Sequence, residues 1–322
     1  VDLRGQGDEG DVFQPGESLG EDAWLAFGSN FELVVLYHSI KDPVVSQYET
    51  KVRASVIDTR TGTVVRTREW TKSYGTSEVF ATANGNYALI EKGTVLYGPG
   101  LTEEIARSPH YVTMVSPSGG RFASSRSMGK EVWMTMDAAT LTDTGVVPYF
   151  DFNRSSIADR SIARLVLGLQ QGPHVEISTE GRSPVIYQRL GPQQDYSPRF
   201  VSEEVLAVVS EDRIDVITVD GKLLFSVPEG WDSGTHICSS RDGRRMAVTQ
   251  ERYSGHWQLL ESERVTVYDL ASRTPIWRVV HKGLKGAFDG KSGIALSPDG
   301  SLLAIDSHGL VTLYKVPEPA ID

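Results

Sequence analysis

The residues of this chain that could do chemistry are few and scattered. Its seven histidines, His38, His110, His174, His236, His256, His281 and His308, form no His-x-x-x-His or Glu-flanked pair, so the linear spacing of a zinc site is missing. No Gly-x-Ser-x-Gly elbow presents a nucleophilic serine, and no glycine-rich loop is patterned to cradle a phosphate. Cys238 is the single cysteine; it can form no intrachain disulfide, and its expected role is that of a small buried apolar residue. The triplet Asn153-Arg154-Ser155 fits a glycosylation acceptor, a pattern common by chance. These residues give no catalytic signature, and no cofactor is expected. A metal would have to be assembled from residues distant in sequence.

What repeats along the chain is a turn. Ser116-Pro117-Ser118-Gly119-Gly120, Ser240-Arg241-Asp242-Gly243 and Ser297-Pro298-Asp299-Gly300 each precede a short apolar run, and Ala83-Asn84-Gly85-Asn86 is a looser copy. Glycine at that place accepts positive φ at no steric cost, so each phrase reads as a tight hairpin turn. A second phrase is a strand ending in aspartate, as at Asp58, Asp137, Asp220 and Asp269; an aspartate there bonds the backbone two residues on and closes the next turn. Together the phrases make a unit of four strands, a to d, found over about 24–71, 77–108, 111–148, 152–190, 197–228, 236–281 and 291–316. A spacing of roughly 30 to 47 residues with four short strands is the period of a β-propeller blade. The expected fold is therefore all-β, a seven-bladed propeller of four-stranded antiparallel blades in one domain over residues 1–322. The last unit shows only three strands, and residues 1–20, around Asp11 to Gln14, are expected to supply the fourth.

The chain resembles the WD-repeat-like β-propellers of the bacterial kind, which carry Ser-Pro-Asp-Gly turns. Ser297-Pro298-Asp299-Gly300 is the cleanest match and Ser240-Arg241-Asp242-Gly243 a good one. The likeness covers nearly the whole chain at the level of fold. No unit combines an initial Gly-His with a Trp-Asp ending, since Val219-Asp220 and Tyr268-Asp269 stand in the Trp-Asp place, so partners are not carried over.

The formal net charge of −10 is spread without a basic stripe, which disfavours nucleic acid and anionic membrane surfaces as partners. No apolar run reaches the roughly 20 residues of a membrane span. The first residue is Val1, which fits an exported chain, periplasmic or extracellular, after signal removal; trimming would look the same, and the cytoplasm stays open.

In a propeller the b–c and d–a loops gather on one face. Two b–c loops, residues 39–50 and 251–263, read as longer than their siblings and stand on either side of the short turn at residues 307–309. They predict a groove over the last blade, floored by His308 and walled by Tyr48 on one side and by Tyr253, His256 and Trp257 on the other. The expected function is non-enzymatic recognition of a protein or peptide on this face. The alternative is an enzyme or a small-ligand or carbohydrate binder at the channel mouth. His110 and His236 are its channel candidates, and the Trp231-Asp232 and Phe288-Asp289 loops its only aromatic support; the aromatics of the d–a loops otherwise read as packing between neighbouring blades.

Overall fold

A computed structural model of the protein describes residues 11–13, 19–39, 49–73, 78–127, 131–148, 156–157, 162–163, 175–177, 183–187, 197–210, 213–228, 233–254, 259–282, 293–307 and 310–319. Apart from one short 3-10 turn at Pro99–Leu101, the elements among the described residues are strands. They form six four-stranded antiparallel sheets. Five are built from consecutive strands and span residues 19–73, 79–108, 111–148, 197–228 and 233–282. The sixth, the closing sheet, joins Ile294–Leu296, Leu302–Ser307 and Leu310–Lys315 to the N-terminal strand Asp11–Phe13. The molecule is an all-β propeller with mostly four-stranded blades.

The unit expected at 152–190 departs from its siblings. It contributes two two-stranded ladders, Ser156–Ile157 with Ile162–Ala163 and Val175–Ile177 with Val185–Tyr187. It lacks a glycine turn phrase, as does the turn Ser202-Glu203-Glu204 of sheet 197–228, which is a regular four-stranded sheet all the same, so the missing phrase does not by itself account for the difference.

The turn phrases work as their residue types require. Gly85, Gly119, Gly243 and Gly300 all adopt positive φ, between 69° and 79°. In the last of these turns the Ser297 hydroxyl donates to Asp299 Oδ1 at 2.8 Å, and the Ser301 amide donates to the same oxygen at 2.9 Å. The strand-ending aspartates also act locally. Asp137 Oδ1 accepts the Ala139 and Thr140 amides, both at 3.0 Å, and Asp269 Oδ1 accepts the Ser272 amide at 2.6 Å. Asp58 accepts from the Arg60 amide and guanidinium, and the Arg60 hydrogen bonds lower its pKa to about 2.

The core lies between sheets, in layers. In sheet 19–73, Val34, Leu36 and Val56 pack against Tyr87, Leu89 and Val95 of the next sheet, while Leu33, Val35 and Ile57 pack against Ala304, Val311 and Leu313 of the closing sheet. Sheet 19–73 is thus covered on both faces, which is why its strand residues Leu33 to Tyr37 are continuously apolar and not alternating. On its other face the closing sheet offers Leu303, Ile305 and Tyr314 to Val265, Val267 and Trp277 of sheet 233–282. Sheets 19–73 and 233–282 are therefore its two neighbours.

The N-terminal strand is in register with the last one: Asp11 opposes Leu313, Val12 opposes Thr312 and Phe13 opposes Val311. A sheet edge left unpaired exposes its amides to exchange. Removing residues 1–13 should speed hydrogen exchange at Val311 to Leu313 while the inner strand Leu302–Ser307 stays protected. Unchanged exchange there would show that the N-terminal strand contributes nothing to closure.

Candidate binding surfaces

Two b–c hairpins of the ring are built on longer strands than the others among the described residues. In sheet 19–73 the strands on either side of residues 40–48, Glu32–Ser39 and Glu49–Asp58, have 8 and 10 residues; in sheet 233–282 Arg245–Ser254 has 10 and Leu259–Asp269 has 11. The closing sheet between them turns back on strands of 6 residues each. The segment expected as a long loop at 251–263 is largely strand. Glu251 pairs with Glu263, Arg252 with Ser262, Tyr253 with Leu260 and Ser254 with Leu259, with a bulge at Tyr253. Glu251 and Glu263 are directly opposed and only 2% and 1% exposed, and Glu263 in turn opposes His281.

Of the predicted groove residues, Tyr253 lies on strand Arg245–Ser254, with its side chain outside the described residues. Tyr48, His256, Trp257 and His308 lie outside the described residues altogether, as do Trp231, Phe288 and Asn153. The structure thus places the hairpins that would carry the groove and not the side chains that would line it.

A second surface opens on the axis, at the end where the a–b turns gather. The innermost strands enclose a cavity of about 250 Å³ whose wall is mostly apolar, with Phe27, Phe200 and Leu296 among its residues, and which also takes in Arg199, Cys238 and Arg241. Arg241 comes from a turn phrase. Its Nη1 donates to the Gly28 carbonyl at 3.2 Å and its Nη2 to the Phe27 carbonyl at 3.0 Å. Gly28 is itself held by donating its amide to Tyr87 Oη at 2.8 Å. Two of the five guanidinium N–H groups are thereby engaged, and three remain.

Arg199, on strand Ser197–Ser202, has no hydrogen-bond or ion-pair partner among the described residues. It is solvent-exposed and lines the cavity; partial desolvation lowers its pKa and, more directly by burial, that of Arg241. The neighbouring carboxylates serve their own turns: Asp242 accepts from Ser240 Oγ and the Arg244 amide, Asp299 from Ser297, Ser301 and Asn30. Burial pushes the Cys238 thiol up to about 12, so it is an inert wall residue and no nucleophile.

Neither His110 nor His236 is part of the wall. The His110 backbone is engaged with Thr94 and Ser108, and His281 Nε2 meets Tyr314 Oη of the closing sheet at 3.2 Å. Among the described residues no three His, Cys, Asp or Glu side chains converge as metal ligands.

No protein-family model matches the chain, and no curated protein matches its sequence. The likeness to solved structures extends to 536 chains and therefore speaks for the architecture and not for one partner. One of them, a chain from the crystal structure of a mitotic checkpoint complex, superposes with a TM-score of 0.56 over 99% of this chain and 98% of that one, at 13% identity. The shared feature is the propeller fold.

Sequence pattern found the turn carrying Arg241 but neither arginine's role. Their positions are related only through the ring, which brings the inner strands of different sheets to one axis. Chemically, the arrangement offers fixed positive charge in an apolar hollow at one end and raised hairpins elsewhere on the ring.

Proposed function

We propose that this protein is a non-enzymatic binding propeller that holds a protein or peptide partner across the groove over its closing sheet. The observation that carries the reading is the pair of long hairpins in sheets 19–73 and 233–282, the two neighbours of a closing sheet whose own hairpin is short. A rigid wall–floor–wall profile suits an extended segment, because the scaffold loses little entropy on binding. Membership of the similar chain in a multi-protein complex agrees with a scaffold role. Tyr253, Trp257, His256, Tyr48 and His308 are the proposed contacts, the aromatics as anchors.

The ring is read as seven blades, the fourth made of the two short ladders between residues 156 and 187. Strand Ser156–Ile157 contacts Tyr111–Val115 on one side and Ser197–Ser202 on the other, and Val175 and Ile177 pack on Phe200, Leu206 and Val208. Those are the neighbours that a fourth blade requires.

Truncating a true anchor costs about 2 kcal/mol or more of binding. Trp257→Ala and Tyr253→Ala should lose a partner that copurifies with the wild-type protein from its native cells, with the melting temperature unchanged. A lower melting temperature would mean that the aromatics are packed, and undiminished copurification would move the site elsewhere.

A further inference from the structure

We propose that the axial cavity at the a–b-turn end is a second binding site, for a small organic anion whose oxyanion head is held by Arg199 and Arg241 and whose apolar body rests on Phe27, Phe200 and Leu296. The proposal goes beyond the groove: it concerns the cavity and a ligand of a different class.

The cavity has room for such a molecule. Its volume of about 250 Å³ exceeds the roughly 150 Å³ hollow that accommodates benzene, and falls below the roughly 300 Å³ at which pockets for drug-sized ligands begin. Its wall is mostly apolar, so a fully hydrated inorganic ion would use only part of it. Arg199 is solvent-exposed and among the described residues has neither an ion-pair nor a hydrogen-bond partner, so its fork of donors at the apolar wall is open to an anion.

Arg241 is the opposite case. Two backbone carbonyls fix its plane, and its remaining N–H groups are free to serve a carboxylate or phosphate in the fork geometry that guanidinium groups favour. One arginine is thus preorganised and the other free of partners among the described residues and open to solvent, in a chain whose net charge is −10.

The test separates head from body with four probes: inorganic phosphate, benzoate, phenyl phosphate and benzyl alcohol. Each is titrated against the full-length protein by thermal shift and calorimetry at constant ionic strength. Benzoate or phenyl phosphate should raise the melting temperature saturably and bind more tightly than phosphate or benzyl alcohol. Added sodium chloride should weaken the binding. Arg199→Gln should lower the affinity on the order of 10-fold or more, as expected for a hydrogen bond to a charged group, while its own melting temperature stays at the wild-type value. Arg199→Met should do the same.

Three results would overturn the proposal: no saturable binding of any probe, equal binding by the Arg199 variants, or benzyl alcohol binding as well as benzoate. The calorimetry and salt dependence of the wild-type protein decide the matter if both variants misfold. The Arg199 comparison also removes the general stabilisation that phosphate gives to any folded protein.

Discussion

Replacing Trp277 by alanine should cost this protein about 3–5 kcal/mol of folding stability. Trp277 is 1% exposed and lies on strand Thr274–Lys282, opposite Val267. Its ring stands 5.1 Å from that of Tyr314 at 53°, a tilted aromatic contact between sheet 233–282 and the closing sheet. Alanine would forfeit the transfer energy of the largest fully buried side chain among the described residues and leave a void between two stiff sheets that cannot collapse into it. Because the closing sheet holds the two chain ends together, the damage should spread. Urea unfolding should show the lost stability, and amide exchange in strand Leu310–Lys315 should accelerate with it. A loss below about 1 kcal/mol would mean that neighbouring side chains refill the space.

The second large effect is expected at Gly28, where alanine should destabilise by about 3 kcal/mol. An added Cβ would overlap Tyr87 Oη, stand 2.5 Å from Tyr87 Cζ and come within 3.0 Å of the Gly85 carbonyl. Tyr87 is fully buried, so its ring cannot swing aside without opening the core between the first two sheets. Overpacking of this kind costs about 1–3 kcal/mol, and losing the bond from the Gly28 amide to Tyr87 Oη strands a buried donor at a similar cost. A Gly28→Ala, Tyr87→Leu double variant makes room for the methyl group and should be less destabilised than the two single losses combined. Strict additivity would refute the clash. Since Gly28 also offers its carbonyl to Arg241, the variant should loosen that guanidinium at the cavity.

The repeat was legible in the sequence because its turns are made locally. Positive φ at Gly85, Gly119, Gly243 and Gly300 and the side-chain bonds of Asp58, Asp137 and Asp269 depend on residues within a few positions of one another. Four strands to a unit followed from those turns, and an all-β propeller followed from the units. At residues 152–190 no such phrase occurs, and the described residues there form two short two-stranded ladders.

Strand ends and sites were decided elsewhere. Glu251 and Glu263 stand in a segment that reads as a loop, yet they are buried opposite each other on a paired hairpin, an outcome of tertiary burial and not of strand propensity. Arg199 and Arg241 have no sequence relation that marks them as a pair; they share a cavity because ring closure turns the first strand of each sheet toward one axis. Turn chemistry acts over a few residues and is written in the chain. Burial and the convergence of charges depend on which distant sheets become neighbours, and only the folded ring determines that.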